Sequence, residues 1–288
     1  MVGNQDPRLG LFFVKNSLDD DAIDSLTVTP GVTLPYFATK PVVEPWDRLI
    51  GAPVAPDSNS VTDYFGGTLT ARSGEIYSRL PYVDYNLIKP KQNDRDGEYK
   101  NIFLSASEVC LYLAEFIEKG YITGQGTAKD WYEKGITISC ENYDDKANKA
   151  QVPDYESRKI VSSQIADLLT QPNVQYIDGD PGNVEKIILQ QLINLFDNPY
   201  EGVAVSRRTG YPKRTSTIWA WQPYTASSVE IPMPRRFPWS TPTNATNEPN
   251  WRSALTAQSF TADVTSFEVL NTQRVWWDKN SPNYGDGE

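Results

Sequence analysis

Histidine is absent from the 288 residues. Its absence removes Ser-His-Asp and Cys-His catalysis and the commonest zinc sites; two-carboxylate chemistry and calcium binding remain open. Cysteine is nearly absent. Cys110 and Cys140 are the only two, too few for a zinc cage, and they either form one disulfide or stay reduced in the core, the preferred reading. Two cysteines do not fix a redox compartment. No apolar run approaches the roughly 20 residues of a membrane span. The opening "MVGNQDPRLGLFF" has neither the basic start nor the small-residue cleavage site of a signal peptide and is not read as one. Positive charge is in deficit: 27 Lys and Arg stand against 37 Asp and Glu, a net charge of -10. Such a chain gains no long-range attraction to nucleic acid or anionic lipid, so no nucleic-acid partner is expected.

Proline and glycine are plentiful instead, at 21 and 18 residues, and 12% of the chain is aromatic. That composition fits a loop-rich globular protein rather than a disordered one. Residues 1–100 are broken by "VTPGVTLPYFATKPVVEPW", "GAPVAP" and "KPKQNDRDGE", with no useful helical period; loops of this length point to a functional surface braced by a second body.

Residues 101–145 change character. Ile102, Ala106, Val109, Leu113, Phe116 and Ile117 recur at helical spacing and predict a buried stripe, with Gly120 as the stop. Thr127 predicts the cap of a second helix through "AKDWYEKGITISCENY". Ala106, Ala114 and Gly135 are small enough to let the two helices approach, in the manner of a tetratricopeptide hairpin. The same hairpin would bring Cys110 and Cys140 to similar heights. Ile160, Ile165, Leu168 and Leu169 mark the next helical segment. Asp180 and Pro181 predict a helix start, followed by a stripe of Ile188, Leu192, Leu195 and Phe196. Asn198-Pro199 interrupts that helix, and "YEGVAVSRR" predicts a short one ending at Gly210. Residues 212–288 are read as irregular. Trp219 and Trp221 would share a face if "TIWAWQ" is a strand; "FEVLNTQRV" also alternates, and Trp276-Trp277 are expected to pack on the core or a partner. Asp19-Asp20-Asp21 and Asp178-Gly179-Asp180 are the places where calcium is possible, with solvated loops and a helix cap as the plainer reading. No metal site and no cofactor is otherwise expected.

Two arginine doublets stand out in this acidic chain, Arg207-Arg208 and Arg235-Arg236. A polyanion site is usually broader. A guanidinium binds carboxylates and several carbonyls at once, and a proline-rich tail with few backbone ladders needs such side-chain support. The doublets are therefore expected to brace the fold. Arg207 or Arg208 is expected to pair with a helix acid such as Glu108, Glu115 or Glu201, and Arg235-Arg236 to tie the tail to the helical block.

An ordered series of segments resembles one family, the SusD/RagB nutrient-binding outer-membrane lipoproteins of Bacteroidetes. "NQDPRLGLFF" resembles the family's "DPRL" entry. "FLSASEVCLYLAEFIEKGYITG" resembles its acidic helix, with Glu108 and Glu115 at the two acidic positions, and "AKDWYEKGITIS" the helix that follows. "IILQQLINLFDNPYEGVAVSRRTGYP" is similar to the segment ending in "RRTGYP", and "IPMPRRFPWS" to "IPRRLPYP", with Asn250 where an asparagine often closes that segment. The departures are Gln191-Leu192 where Lys-Trp usually follows the glutamine, and Glu201-Gly202-Val203 in place of Glu-Ala-Trp.

The resemblance implies a mainly α fold of tetratricopeptide-like hairpins with long irregular loops and few short strands. It implies that 1–288 is the C-terminal portion of a single domain: 1–100 a ligand-side region, 101–211 a helical block, 212–288 a tail. It implies a surface-exposed lipoprotein of the cell outer membrane that binds a glycan or other nutrient, such as a peptide, and delivers it to a SusC-like TonB-dependent transporter. A further partner would be the N-terminal half of the same protein. Sugar sites stack flat rings on C–H faces and fix hydroxyls with polar groups. Trp46, Tyr64 and Tyr82, with Arg48, Asp63 and Asp47, are the candidates in the loops; Phe65, Tyr77 and Tyr85 are further rings there. No catalytic residue is assigned and no enzyme activity is expected. The alternatives are a glycosidase working through two carboxylates and a tetratricopeptide-like adaptor that binds only proteins.

Overall fold

The computed structural model describes residues 1–15, 49, 82–89, 96–219, 221, 223, 225–226, 229–262 and 266–288. The protein is mainly helical and divides into two compact units, Met1–Asp197 and Asn198–Glu288.

The first unit is built on an antiparallel helix pair, α3 (Ala106–Glu118) and α4 (Ala128–Lys149). Each begins on a hydroxyl cap. The Ser105 Oγ accepts the Glu108 N–H at 3.0 Å, and the Thr127 Oγ1 accepts the Asp130 N–H at 3.1 Å, satisfying donors that a helix start leaves orphaned. Gly120, at φ +72°, lets the chain turn out of α3. The helices touch where Gly135 meets Leu111. A Cβ on Gly135 would stand 2.7 Å from the Leu111 Cγ, and the buried Ser107 hydroxyl donates to the Gly135 carbonyl at 2.7 Å. Leu111, Ala114, Tyr132, Ile136 and Cys140 form the core, joined by Ile165 and Leu168 of α6 (Ser162–Thr170) and Ile187 of α7 (Asn183–Asn194).

The buried face of α3 is not the stripe expected from spacing. Ser107, Cys110, Leu111, Ala114 and Glu115 point inward, whereas Ala106, Val109 and Phe116 are exposed. Ser107 and Glu115 are buried because both have partners: Glu115 accepts from Lys119 at 2.7 Å and from the Gln191 amide at 2.8 Å. Helix α7 starts at Asn183, two positions later than Pro181. Asp180 still serves its start, accepting the Gly182 N–H at 2.8 Å and pairing with Lys186 at 2.9 Å.

At the N-terminus lie α1 (Leu9–Phe12) and the antiparallel pair β1 (Phe13–Val14) and β2 (Tyr82–Val83), followed by α2 (Tyr85–Ile88). A four-residue helix, α5 (Tyr155–Arg158), precedes α6.

The second unit begins with α8 (Pro199–Thr209), which ends at Gly210 in the left-handed region. It also holds a two-residue hairpin, β3 (Thr225–Ala226) with β4 (Val229–Glu230), and two helices, α9 (Glu248–Ala257) and α10 (Phe267–Thr272). The tail is therefore less irregular than its prolines suggest. Glu248-Pro249 opens α9, where a proline without an N–H is harmless. The alternating "FEVLNT" is a helix, and the described residues around Trp219 and Trp221 are bends rather than a strand. Trp276 and Trp277 lie in a short 3-10 turn, 75% and 68% exposed, so they are not core.

Two glycines predict opposite signs. Gly135→Val should destabilise by about 1–3 kcal/mol through overlap with Leu111. Gly202→Ala, on α8 with no atom within 4 Å of the added Cβ, should stabilise by up to about 1 kcal/mol through helix propensity. Urea unfolding of both variants checks the pair.

Candidate functional site

A long connection between two strands needs fixed ends. In this chain residues 15–81 leave from β1 and return at β2, where Phe13 pairs with Val83 and Val14 with Tyr82. Two residues on each strand are a weak ladder by themselves; the strength comes from beneath.

Arg8 has no exposed surface. Its Nε and Nη2 donate to the two oxygens of Asp6 at 3.0 and 2.7 Å, its Nη2 also to the Gln190 Oε1 at 2.6 Å, and its Nη1 to the Ser139 Oγ at 3.0 Å. One guanidinium thereby joins the N-terminal segment to α4 and α7. Burial alone would lower the affinity of Arg8 for its proton, but the Asp6 carboxylate outweighs it and raises that affinity above the ordinary arginine value. Next to it, Phe12 stacks on Phe196 with centroids 4.0 Å apart and meets Tyr143 edge-on at 4.6 Å.

The returning strand is fixed by Asp84, which is also fully buried. Its N–H donates to the Phe12 carbonyl at 2.8 Å, and its Oδ1 accepts the Asn86 N–H at 2.9 Å, capping α2. Its Oδ2 lies 2.7 Å from the Arg158 Nη2, an ion pair without the angle of a hydrogen bond. Arg158 in turn donates from Nε to the Gly10 carbonyl at 2.8 Å. Beside this pair opens a cavity of about 370 Å³, lined by Phe13, Val14, Leu49, Arg158, Lys159 and Gln164 among others. Tyr82 and Tyr85 stand at the same strand end, 53% and 56% exposed.

The ladder thus presents one of the loop candidates, Tyr82, together with Tyr85. Trp46, Asp47, Arg48, Asp63, Tyr64, Phe65 and Tyr77 lie outside the described residues, as do Asp19, Asp20 and Asp21. Asp180, of the other acidic pair, is committed to Gly182 and Lys186; among the described residues no cluster of three metal-ligating side chains occurs.

Three of the four doublet arginines, Arg207, Arg235 and Arg236, bind carbonyl oxygens. Arg207 donates to the Arg235 carbonyl, and the Arg235 Nη1 returns a bond to the Arg207 carbonyl at 2.9 Å. Arg235, buried, also donates to the Pro282 carbonyl and reaches the Asp278 Oδ1 at 3.2 Å. Arg236 donates from Nε to the Gln273 Oε1 at 3.2 Å and lies over the Phe260 ring. Arg207 takes a carbonyl; Glu115 accepts from Lys119 and Gln191. The reason is geometric: α8 ends at Gly210 and its neighbours are coil segments rich in unladdered C=O groups. Arg8, the most buried of these cations, was legible only as part of the "DPRL" likeness; a lone arginine beside an aspartate carries no burial signal.

Cys110 and Cys140 are free thiols in the core. They are not level: Cys110 packs beside Gly135, where an added Cβ would come within 3.4 Å of its Cβ. Five residues of α4, about 7.5 Å of rise, separate Gly135 from Cys140.

Two outcomes follow from this geometry. Arg8→Ala strands the buried Asp6 carboxylate and should cost about 3–5 kcal/mol in urea unfolding, whereas Asp6→Leu combined with Arg8→Met should recover much of the loss. Burial pushes the Cys140 thiol up to about 12 and raises Cys110 as well. At pH 8 a disulfide-exchange reagent should therefore titrate neither thiol promptly in the folded chain and both after denaturation.

The profile of the family described as "Starch-binding associating with outer membrane" matches residues 53–239. Among solved structures, a SusD homolog from Bacteroides fragilis NCTC 9343 superposes with a TM-score of 0.59 at 20% identity, over 95% of this chain and 49% of that one. A SusD-like protein from Bacteroidetes, AC2a, gives 0.53 at 19% identity, over 96% and 51%. The chain thus spans about half the length of the structures it matches. No curated protein matches it. With a family match across most of its length and a shared helical fold, the chain belongs to the SusD-like family.

Proposed function

We propose that the protein binds a glycan at the outer surface of the outer membrane and hands it unchanged to a SusC-like TonB-dependent transporter. The observation that carries this reading is the pinned base of residues 15–81, with Tyr82 and Tyr85 exposed where the chain returns at β2. The family description, starch-binding and associated with the outer membrane, supports it. Trp46 and Tyr64 would supply further stacking faces, with Arg48 and Asp63 at the sugar hydroxyls.

Binding without turnover is the better reading of the carboxylates. A glycosidase needs one carboxylic acid held protonated near neutrality. Asp145, Asp180 and Glu230 move the other way: Asp145 through its hydrogen bond to Lys100, Asp180 through Lys186, and Glu230 through Arg214.

A second contact is proposed on α3. Val109 and Phe116 are exposed on one face, with Phe103, Leu104 and Tyr121 exposed at its two ends. Water-facing apolar surface of this extent marks a docking surface. Helices from the portion that the matched structures have and this chain lacks would cover it; a polypeptide supplying that portion should bind the 288-residue chain, and Phe116→Asp should abolish the association.

Affinity electrophoresis against starch and other polysaccharides tests the glycan reading. One polysaccharide should retard the protein, and Trp46→Ala or Tyr82→Ala should each weaken binding by about tenfold, the scale of one aromatic contact at about 1.5 kcal/mol. Full retention of affinity in a variant removes that residue from the site. Sustained release of reducing sugar would replace the binding reading with the hydrolase.

A further inference from the structure

The sequence predicts cover for Trp276 and Trp277, and the second unit gives them almost none. The residues on either side of the pair are buried. Val275 packs with Leu255 and Phe260. Asp278 donates its N–H to the Val275 carbonyl at 2.9 Å, and its Oδ1 pairs with Arg235 at 3.2 Å. Arg274 closes the turn, giving Nη1 to the Asp278 carbonyl at 2.9 Å and Nη2 to the Asn283 Oδ1 at 2.6 Å. The turn is fixed at both ends, so its two rings are held in water by the structure around them. A site held in place in this way binds without a further cost of ordering.

The geometry narrows what covers the rings. Their centroids are 5.5 Å apart and their planes stand at 89°, so they present two faces meeting in a corner rather than one flat sheet. Among the described residues nothing accepts a hydrogen bond from either indole N–H, which leaves a donor at the edge of each apolar face. Lys279 and Asn280 come next in the chain, both exposed and without a partner among the described residues.

Protein, lipid and sugar compete as occupants. At about 150–250 Å² for a whole aromatic side chain, the pair offers roughly 400 Å² at most. That is about half of the roughly 800 Å² each side of a stable protein interface buries. A net charge of -10 opposes an anionic surface. The two guanidiniums of the turn, Arg235 and Arg274, are engaged by Asp278 and by carbonyls, which leaves nothing there to grip a phosphate by a guanidinium fork. A sugar ring answers each feature. Its C–H face covers an indole, and its hydroxyls accept from the second indole and bind the Asn280 amide and the Lys279 ammonium.

We propose that Trp276 and Trp277 form a surface site for a neutral glycan, with one pyranose lying on one indole and its edge turned to the other. The site belongs wholly to the second unit and does not depend on the contact proposed at Tyr82.

Fluorine NMR of the 288-residue chain labelled with fluorotryptophan tests it, with Trp276→Ala and Trp277→Ala assigning the two resonances. Maltoheptaose, cellohexaose and xylohexaose are the probes, and phosphatidylcholine vesicles the lipid control. At least one oligosaccharide should move both resonances in the unaltered chain and in Tyr82→Ala, and vesicles should move neither. Each alanine variant should weaken binding of that oligosaccharide at the remaining indole by about tenfold, with the thermal midpoint unchanged because the rings are exposed. The proposal is overturned if none of the three oligosaccharides moves the resonances, if the shifts vanish in Tyr82→Ala, or if the alanine variants keep their affinity. It is overturned equally if vesicles, or a polypeptide supplying the portion this chain lacks, move the resonances in place of the sugars.

Discussion

A guanidinium taken wholly out of water is tolerable only beside a carboxylate and with its N–H groups engaged; removed from either, it costs several kcal/mol. Arg8 meets both conditions through Asp6, Ser139 and Gln190. Because those partners come from the N-terminal segment, α4 and α7, satisfying one side chain fixes three parts of the first unit in register. Phe12 is then carried onto Phe196 and Tyr143, and the carbonyl of Phe12 is placed to receive Asp84. The β1–β2 ladder is thus a consequence of the buried pair rather than a support in its own right.

The second unit solves a related problem with the same functional group and different acceptors. Its coil leaves carbonyls unladdered, and an unpaired buried C=O costs as much as a lost hydrogen bond. Arg207 and Arg235 each bind the other's carbonyl, so the end of α8 and the "PRR" segment are clamped by two reciprocal bonds. The C-terminal turn closes on the same helix end: Gly285 donates to the Gly210 carbonyl at 2.8 Å, and Arg214 donates to the Gly285 carbonyl at 2.7 Å. Gly210 has to be glycine, since at φ +70° its Cβ would also stand 2.6 Å from the Asn283 carbonyl oxygen.

The helix pair, its caps at Thr127 and Gly120, and the break at Pro199 were legible because each rests on local chemistry: a hydroxyl for orphaned N–H groups, a left-handed stop, a missing N–H. The orientation of α3 was not. Its apolar residues describe a real face, but Val109 and Phe116 are on the outside, while Ser107 and Glu115 are inside with partners from α4 and α7. Hydrophobic spacing reports that a face will be covered; which body covers it is tertiary information. The helices of the tail were hidden for the opposite reason. Six residues of α10 read equally as alternation or as helix, a known ambiguity of short segments. Of the loop candidates, Tyr82 is exposed on β2, whereas the cavity at Arg158 joins residues some 150 positions apart, and no local pattern encodes that.

A ligand surface, as proposed for residues 15–81, needs its cost of ordering to be small. Closing a chain of that length is less demanding than it looks, because each doubling adds only about 0.6 kcal/mol; the greater requirement is that the two ends stay together. One ladder of two residue pairs does not meet it. Asp84 does, since separating β2 from β1 would pull a buried carboxylate from Arg158, at a cost of about 3–5 kcal/mol for a broken buried pair. The ion pairs beneath the strands therefore hold β1 and β2 together independently of the sequence that joins them. In this chain the anchor beneath the two strands is made of Asp6, Arg8, Asp84 and Arg158, which join the strand ends to the helices under them.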